Sequence, residues 1–382
     1  MKKVMLIFGT RPEAIKMLPI VKEFENNNHI NCITVVTGQH REMLDQVLTV
    51  FDTKPDHDLG IMSQNQSLSD ITVNIISNLN SVITKELPDM ILVHGDTTTT
   101  FAASLFAFYN RIPIGHVEAG LRTWDKYSPF PEEVNRQLTD VLSDLYFAPT
   151  EASKLNLLKE NHSDNQIFIT GNTVIDALKY SVKEDFKHEI LDNIRSPSRI
   201  ILLTMHRREN IGQPMENVFK GILEIVKKNK DVEIIFPVHL NPQVRHYAFK
   251  YFDKVPQVHL VDPLNMVEFH NITSRSYMIL TDSGGVQEEA PSLGKPVLVL
   301  REETERPEGV EAGTLKIVGT STETIIKEIE NLLFNEEEYQ KMSEAKNPYG
   351  DGEASQRIVK IIEEYFSQGM QSNKKHRLSG NK

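Results

Sequence analysis

The stretch VMLIFGTRPE, residues 4–13, decides the fold. Five consecutive apolar residues, Val4 to Phe8, show no alternation and read as a strand buried on both faces. Gly9-Thr10-Arg11-Pro12 stops the run, and Glu13 opens a helical pattern over 13–26. The same grammar recurs along the chain. Apolar runs at 33–37, 90–93, 112–117, 200–204, 232–238, 278–281 and 296–300 alternate with amphipathic stretches such as 68–85, 215–228 and 323–334. Continuous strands separated by helices predict parallel sheets covered on both faces, hence class α/β. The charged segment 181–198, with its Ser196-Pro197-Ser198 turn, breaks the series before it starts again. Two doubly wound domains follow, 1–180 and 181–352, with 367–382 reading as an aperiodic, disordered tail.

The 382 residues suit two domains, and 42 basic against 53 acidic residues leave a net charge of −11. That balance offers no general field for nucleic acid or an anionic membrane, so neither is expected as a partner. With 39% hydrophobic and 25% charged residues the chain can bury a core, which excludes disorder as its general state. The lone Cys32, in an apolar run, builds neither a disulfide nor a thiolate metal site; it reads as a buried thiol in a reducing, cytoplasmic compartment. No apolar window reaches the ~18 residues of a membrane helix. The basic start before Val4 resembles a signal peptide, but the short run lacks a small-residue cleavage site.

Ligands of open α/β sheets bind outside the carboxyl ends of the strands, and the unusual polar clusters fall there. They are Gly9–Glu13, His94–Thr97, His116–Arg122, Thr204–Asn210, His239–Pro242, Asp282–Gly285 and Arg301–Glu308. Seven clusters on that edge, from two halves, predict one cleft between two domains. Asp282-Ser283-Gly284-Gly285 opens a helix, so its amides form an anion site, although Asp and Ser would also serve as caps. Glu288 and Glu289 follow, where a carboxylate can accept both hydroxyls of a ribose or simply complement the helix dipole. Arg11 and Arg306, beside prolines, are candidate diphosphate clamps. The acid–base candidates are Asp96, Glu118, Glu132 and His206. Asp96 could equally cap the helix that follows it, and Glu132 could serve the dipole of its own helix. Arg207 and Arg208 would keep a neighbouring imidazole neutral at His206. The histidines come from separate strands without ligand spacing, so no metal is expected.

The pieces GTRPEAIK (9–16), HGDTTTT (94–100), HVEAGLRT (116–123), PFPEEVNR (129–136), TMHRREN (204–210), DSGGVQEEAPSLGKPVLVLR (282–301), TERPEGVEAGT (304–314) and NPYGDG (347–352) together resemble the bacterial non-hydrolysing UDP-N-acetylglucosamine 2-epimerases. The resemblance spans 9–352, nearly the whole chain. It implies a GT-B-like architecture of two Rossmann-like domains, with a last helix, 353–366, packing back on the first. It implies reversible conversion of UDP-N-acetylglucosamine to UDP-N-acetylmannosamine through elimination of UDP to a glycal and re-addition, without a cofactor. By resemblance Asp96, Glu118, Glu132 and His206 are catalytic. Arg11, Lys16, Leu264, Phe269, Ser283, Gly284, Gly285, Glu289 and Arg306 are substrate contacts. A homodimer that serves surface-polysaccharide synthesis, such as capsule or teichoic-acid linkage, is also implied.

Many such enzymes bind a second UDP-N-acetylglucosamine as an activator, and Gln39, Glu132, Arg207 and His239 match that pattern. Glu42 and Asn65 replace a glutamine and an arginine there, which predicts weak activation. Hydrolysis to free N-acetylmannosamine, glycosyl transfer on the same fold, and non-catalytic sensing are the competing readings.

Overall fold

A computed structural model describes residues 1–38, 41–61, 66–194 and 197–379, with backbone alone at 41–42 and 369–379. The chain divides into two units. Met1–Ala177 forms the first, together with the chain from Gly350 onward, and Leu178–Tyr349 forms the second.

In the first unit the strands are β1 (Lys2–Phe8), β2 (Ile30–Val36), β3 (His57–Asp58), β4 (Met90–His94), β5 (Ile114–Val117), β6 (Leu145–Ala148) and β7 (Ile167–Ile169). They pair in the order β3-β2-β1-β4-β5-β6-β7, and every pairing is parallel. Met5, Ile7, Val35, Ile91 and Val93 on one sheet face bury against Ile75, Leu79 and Ala103 of the covering helices. The continuous apolar runs follow from that two-sided burial. Cys32 is only partly buried, and burial with the Asp56 charge pushes its thiol up to about 12.

The second unit holds β8 (Arg199–Thr204), β9 (Val232–Pro237), β10 (Val258–Val261), β11 (Met278–Thr281), β12 (Val297–Val299) and β13 (Leu315–Ile317), all parallel in the order β10-β9-β8-β11-β12-β13. In both sheets the strand order reverses beside the first strand, between β1 and β4 and between β8 and β11. Those reversals are the crevices in which such sheets take ligands.

The last helix, Ala354–Ser379, belongs to the first unit. The Asp176 carboxylate accepts the amides of Ala354 (3.3 Å) and Ser355 (2.7 Å), and the Arg357 guanidinium donates to the Thr170 carbonyl at 3.0 Å. The helix runs on through 367–379, where the composition suggested an aperiodic tail. Once a first turn is nucleated, each further residue adds a hydrogen bond at little cost, which lets the segment continue without a periodic pattern of its own.

Candidate functional site

Glu13 organises the first crevice. Its Oε2 accepts the amides of Gly9 (3.0 Å) and Thr10 (2.7 Å), and its Oε1 accepts the Thr97 hydroxyl (2.7 Å). One buried carboxylate thus ties the loop after β1 to the loop after β4. Thr10 caps the helix Arg11–Glu25, which places Arg11 in its first turn, partly buried.

Thr97, not Asp96, caps the helix Thr98–Tyr109. The capping alternative for Asp96 is therefore corrected: a threonine hydroxyl already fills that role. Asp96 turns to the helix Glu132–Leu142, where Arg136 lies 2.8 Å from its carboxylate and Asn135 donates to its carbonyl at 2.9 Å. Burial raises Asp96 above the ordinary carboxylate value, with Arg136 opposing and the Glu118 charge adding to it.

Glu118 follows β5 directly with φ +67°, a left-handed conformation that costs a non-glycine residue about 1 kcal/mol or more and clusters at functional sites. The Lys16 ammonium pairs with its Oε2, to which Asn172 donates at 2.9 Å. His94, the last residue of β4, brings Nε2 to 3.7 Å from the same oxygen. Burial works to raise Glu118, but Lys16 and then His94 outweigh it and hold the group well below the usual carboxylate range. Lys16, a substrate contact in the sequence reading, is thus engaged by Glu118. Two carboxylates at the ends of adjacent strands are pushed in opposite directions.

Adjacent glutamates separate by burial. Glu133 is fully buried and accepts the amides of Thr123 (3.0 Å) and Trp124 (3.1 Å), which fastens the loop before the helix. Glu132, one residue earlier, stays partly exposed in the first turn. Behind the crevice His116 bridges the Asp140 carboxylate (2.6 Å) and the Gly95 carbonyl (2.7 Å), bracing the peptide next to Asp96.

In the second unit Asp282, fully buried at the end of β11, is the counterpart of Glu13. Its Oδ2 accepts the amides of His206 and Arg207 (2.9 Å each) and the Asn210 side chain (3.0 Å). Its Oδ1 lies 3.5 Å from His206 Nδ1. The capping alternative for Asp282 is corrected too, because this carboxylate faces the β8 loop and Ser283 precedes the helix Gly284–Glu289 without a side-chain cap. His206 stacks on His239 with ring centroids 5.4 Å apart. Burial is the largest influence lowering the His206 pKa, and Arg207 contributes less than the sequence reading gave it.

Arg306 is oriented by Glu288, and a Cβ on Gly284 would stand 3.6 Å from Arg306 Nη2 and 4.0 Å from Arg207 Nη2. Two guanidinium forks therefore converge over the Ser283-Gly284-Gly285 backbone. Glu289 receives His270 at 3.2 Å on one oxygen, while the other lies 3.7 Å from the Cβ position of Gly285. Leu264 and Phe269 pack half-buried against the β8, β9 and β11 core. Of the second-ligand candidates, Gln39 and Asn65 lie outside the described residues, as does the Glu42 side chain. Arg207 follows β8 and is bonded to the loop after β11, whereas exposed His239 follows β9. Sequence reading missed Glu13, His94 and Asp282 as site-builders. Their position at or within a few residues of strand ends was the available signal.

The family model described as UDP-N-acetylglucosamine 2-epimerase matches residues 22–363. A UDP-N-acetylglucosamine 2-epimerase of Bacillus subtilis is 58% identical over 360 residues, 94% of each chain. A crystal structure of a UDP-N-acetylglucosamine 2-epimerase superposes with TM-score 0.91 at 56% identity, covering 96% of this chain and 97% of that one. The Neisseria meningitidis enzyme, bound to UDP-GlcNAc, gives TM-score 0.83 at 52% identity over 95% of this chain and all of its own.

Proposed function

The chain belongs to the UDP-N-acetylglucosamine 2-epimerase family, and we propose that it interconverts UDP-N-acetylglucosamine and UDP-N-acetylmannosamine by eliminating and re-adding UDP. No ketone acidifies the hydrogen on sugar carbon 2, so its loss must be coupled to departure of the diphosphate. The C2–H bond breaks, its electron pair forms the C1=C2 double bond, and the C1–O pair leaves with UDP. Re-addition reverses these changes with the proton delivered to the other face.

The observation that carries this reading is the opposite setting of Asp96 and Glu118. Groups whose environments push their proton affinities apart divide acid and base roles. In one direction Glu118, held ionised, takes the C2 proton, and Asp96, which keeps its proton more readily, supplies the new one. In the reverse direction the roles exchange. Glu132 adds a third carboxylate on the helix that clamps Asp96. In the second unit Arg306, Arg207 and the amides of the Ser283-Gly284-Gly285 turn retain the diphosphate. His206, steadied by Asp282, acts on the departing oxygen, and Glu289 serves the ribose.

The lone Cys32 supports work in the cytoplasm, and supply of surface-polysaccharide synthesis accompanies the family reading. Phe108, Tyr109, Leu138 and Val141 are exposed on two helices of the first unit and support a homodimer. Proton NMR of UDP-N-acetylglucosamine with the enzyme in deuterated water tests the activity. The expected outcome is UDP-N-acetylmannosamine carrying deuterium at carbon 2. Free sugar would indicate hydrolysis, and a single turnover in which the product keeps its own C2 hydrogen would refute the two-sided mechanism.

A further inference from the structure

A two-face epimerisation leaves the enzyme altered. After one forward turnover the group that took the C2 proton is protonated, and the group that supplied one is not. Before the next substrate can react in the same direction, a proton must travel from the first carboxylate to the second. Bulk water can carry it in an open site, but Glu118 here is largely closed off from solvent and Asp96 is partly buried.

His94 lies beside Glu118 and two residues from Asp96 in the chain. It ends β4 and is 4% exposed. Neither of its ring nitrogens hydrogen-bonds a protein group among the described residues. Buried polar groups are nearly always paired, and two unpaired nitrogens on one ring are costly enough to need an explanation. The ring is not remote from partners: Nε2 is 3.7 Å from Glu118 Oε2, slightly beyond a hydrogen bond. Its charge also bears on Asp96, on the other side of the Gly95 peptide. Other buried histidines of this unit and the next are engaged, as His116 by Asp140 and Gly95, and His270 by Ser181 and Glu289.

We propose that His94 is a proton relay between Glu118 and Asp96 that resets the pair after each turnover. Protonated Glu118 gives its proton to one ring nitrogen, and the other nitrogen releases a proton toward Asp96. Glu118 ends ionised, Asp96 ends protonated and His94 is unchanged, so charge and protons balance with no further reactant. Imidazole suits the task because it donates and accepts through two distinct nitrogens near neutral pH. The settings of the two carboxylates favour the return, since Asp96 is raised and Glu118 is lowered. Lys16 and Asn172 hold Glu118 Oε2 on the ring side.

This rests on the acid–base reading of Asp96 and Glu118, and rapid-quench kinetics separates the two ideas. His94→Gln is mixed with excess UDP-N-acetylglucosamine, and UDP-N-acetylmannosamine is counted per active site. The expected result is one equivalent formed with a modest loss of rate, since Lys16 still holds Glu118 ionised, then later turnovers slowed by a further ~100-fold, the usual scale of a lost proton-transfer group. Free imidazole should restore the later turnovers. A ring that merely supports the fold would slow both phases alike and gain nothing from imidazole, which overturns the relay. Wild-type behaviour in both phases also overturns it. Should His94→Gln fail to fold, His94→Asn carries the same comparison. Loss of the first turnover in Asp96→Asn and Glu118→Gln, with His94→Gln at wild-type speed, removes the relay alone. Near-normal turnover in both carboxylate variants removes the acid–base reading itself.

Discussion

Replacing Asp282 by Asn keeps the side chain's shape and removes its charge, which isolates what that carboxylate does for His206. In the folded protein Oδ2 accepts three N–H bonds of 2.9–3.0 Å, and Oδ1 lies 3.5 Å from His206 Nδ1. Asparagine has one acceptor oxygen, and the three donors will claim it. Its amide NH2 then faces His206 Nδ1, where a carboxylate oxygen stands 3.5 Å away in the wild type, and the ring loses that charge. Each of the three bonds passes from charge-assisted to neutral, from roughly 1.5–3 to roughly 0.5–1.5 kcal/mol. The gain from no longer burying a charge offsets part of that, leaving about 1–3 kcal/mol of lost stability. Turnover should fall by ~100-fold or more, because the ring loses the carboxylate charge that faces it. Asp282 is also a group that raises the proton affinity of His206, so the variant's ring should titrate at lower pH than the already lowered wild-type ring. UDP affinity should change less than turnover, because Arg306 is oriented by Glu288 and Arg207 keeps its bond to the residue's backbone carbonyl, losing only the charge on the acceptor of its amide. The assays are coupled epimerisation, calorimetry with UDP, and NMR titration of the His206 ring. Turnover within threefold of wild type with a folded variant refutes the orienting role.

Arg306→Ala should weaken UDP binding by roughly 2–4 kcal/mol, the scale for truncating one partner of a buried charged contact, and calorimetry with wild-type affinity places Arg306 outside the site. Arg357 lowers Asp351 from 3.8 to about 2 at the start of the last helix, so the pair's contribution is complete above pH 4 and lost as pH falls through about 2. Asp351→Asn should therefore destabilise the protein at pH 5 to 7 and lose that penalty near pH 2, and an unchanged difference in urea midpoint across the range counts against the pair. Cys32, with its thiol pushed up to about 12, should resist iodoacetamide at pH 8 until the first unit opens; mass spectrometry that finds rapid labelling of the folded protein contradicts this.

The strands that sequence reading picked out are the ones buried on both faces, because their apolar runs report local burial without reference to any partner. β3, β7, β10 and β13 escaped it for the converse reason. They are edge strands of two to four residues, too short to form a pattern and held by pairing on one side only. Among the internal strands β6 also escaped, since Leu145-Tyr146-Phe147-Ala148 is too brief to tell from a helical segment. The site's edge was legible as well, because polar residues directly after a buried strand have little structural work there and stand out against it.

Which of those polar residues does what belongs to the tertiary structure alone. Glu132 and Glu133 are neighbours in one motif, and only the packing of the loop carrying Thr123 and Trp124 shows that Glu133 is structural. Asp96 and Thr97 are equally good caps on paper, and the cap falls to Thr97, whose hydroxyl is also held by Glu13 from the first turn of another helix. Glu118 looks like any carboxylate until Lys16, 102 residues away in sequence, comes down on it and holds its charge. A residue's type and its distance from a strand end are local facts, fixed along the chain. Its proton affinity and hydrogen-bond partners depend on charges and dipoles that folding brings within a few ångströms from distant segments, and no local pattern encodes those.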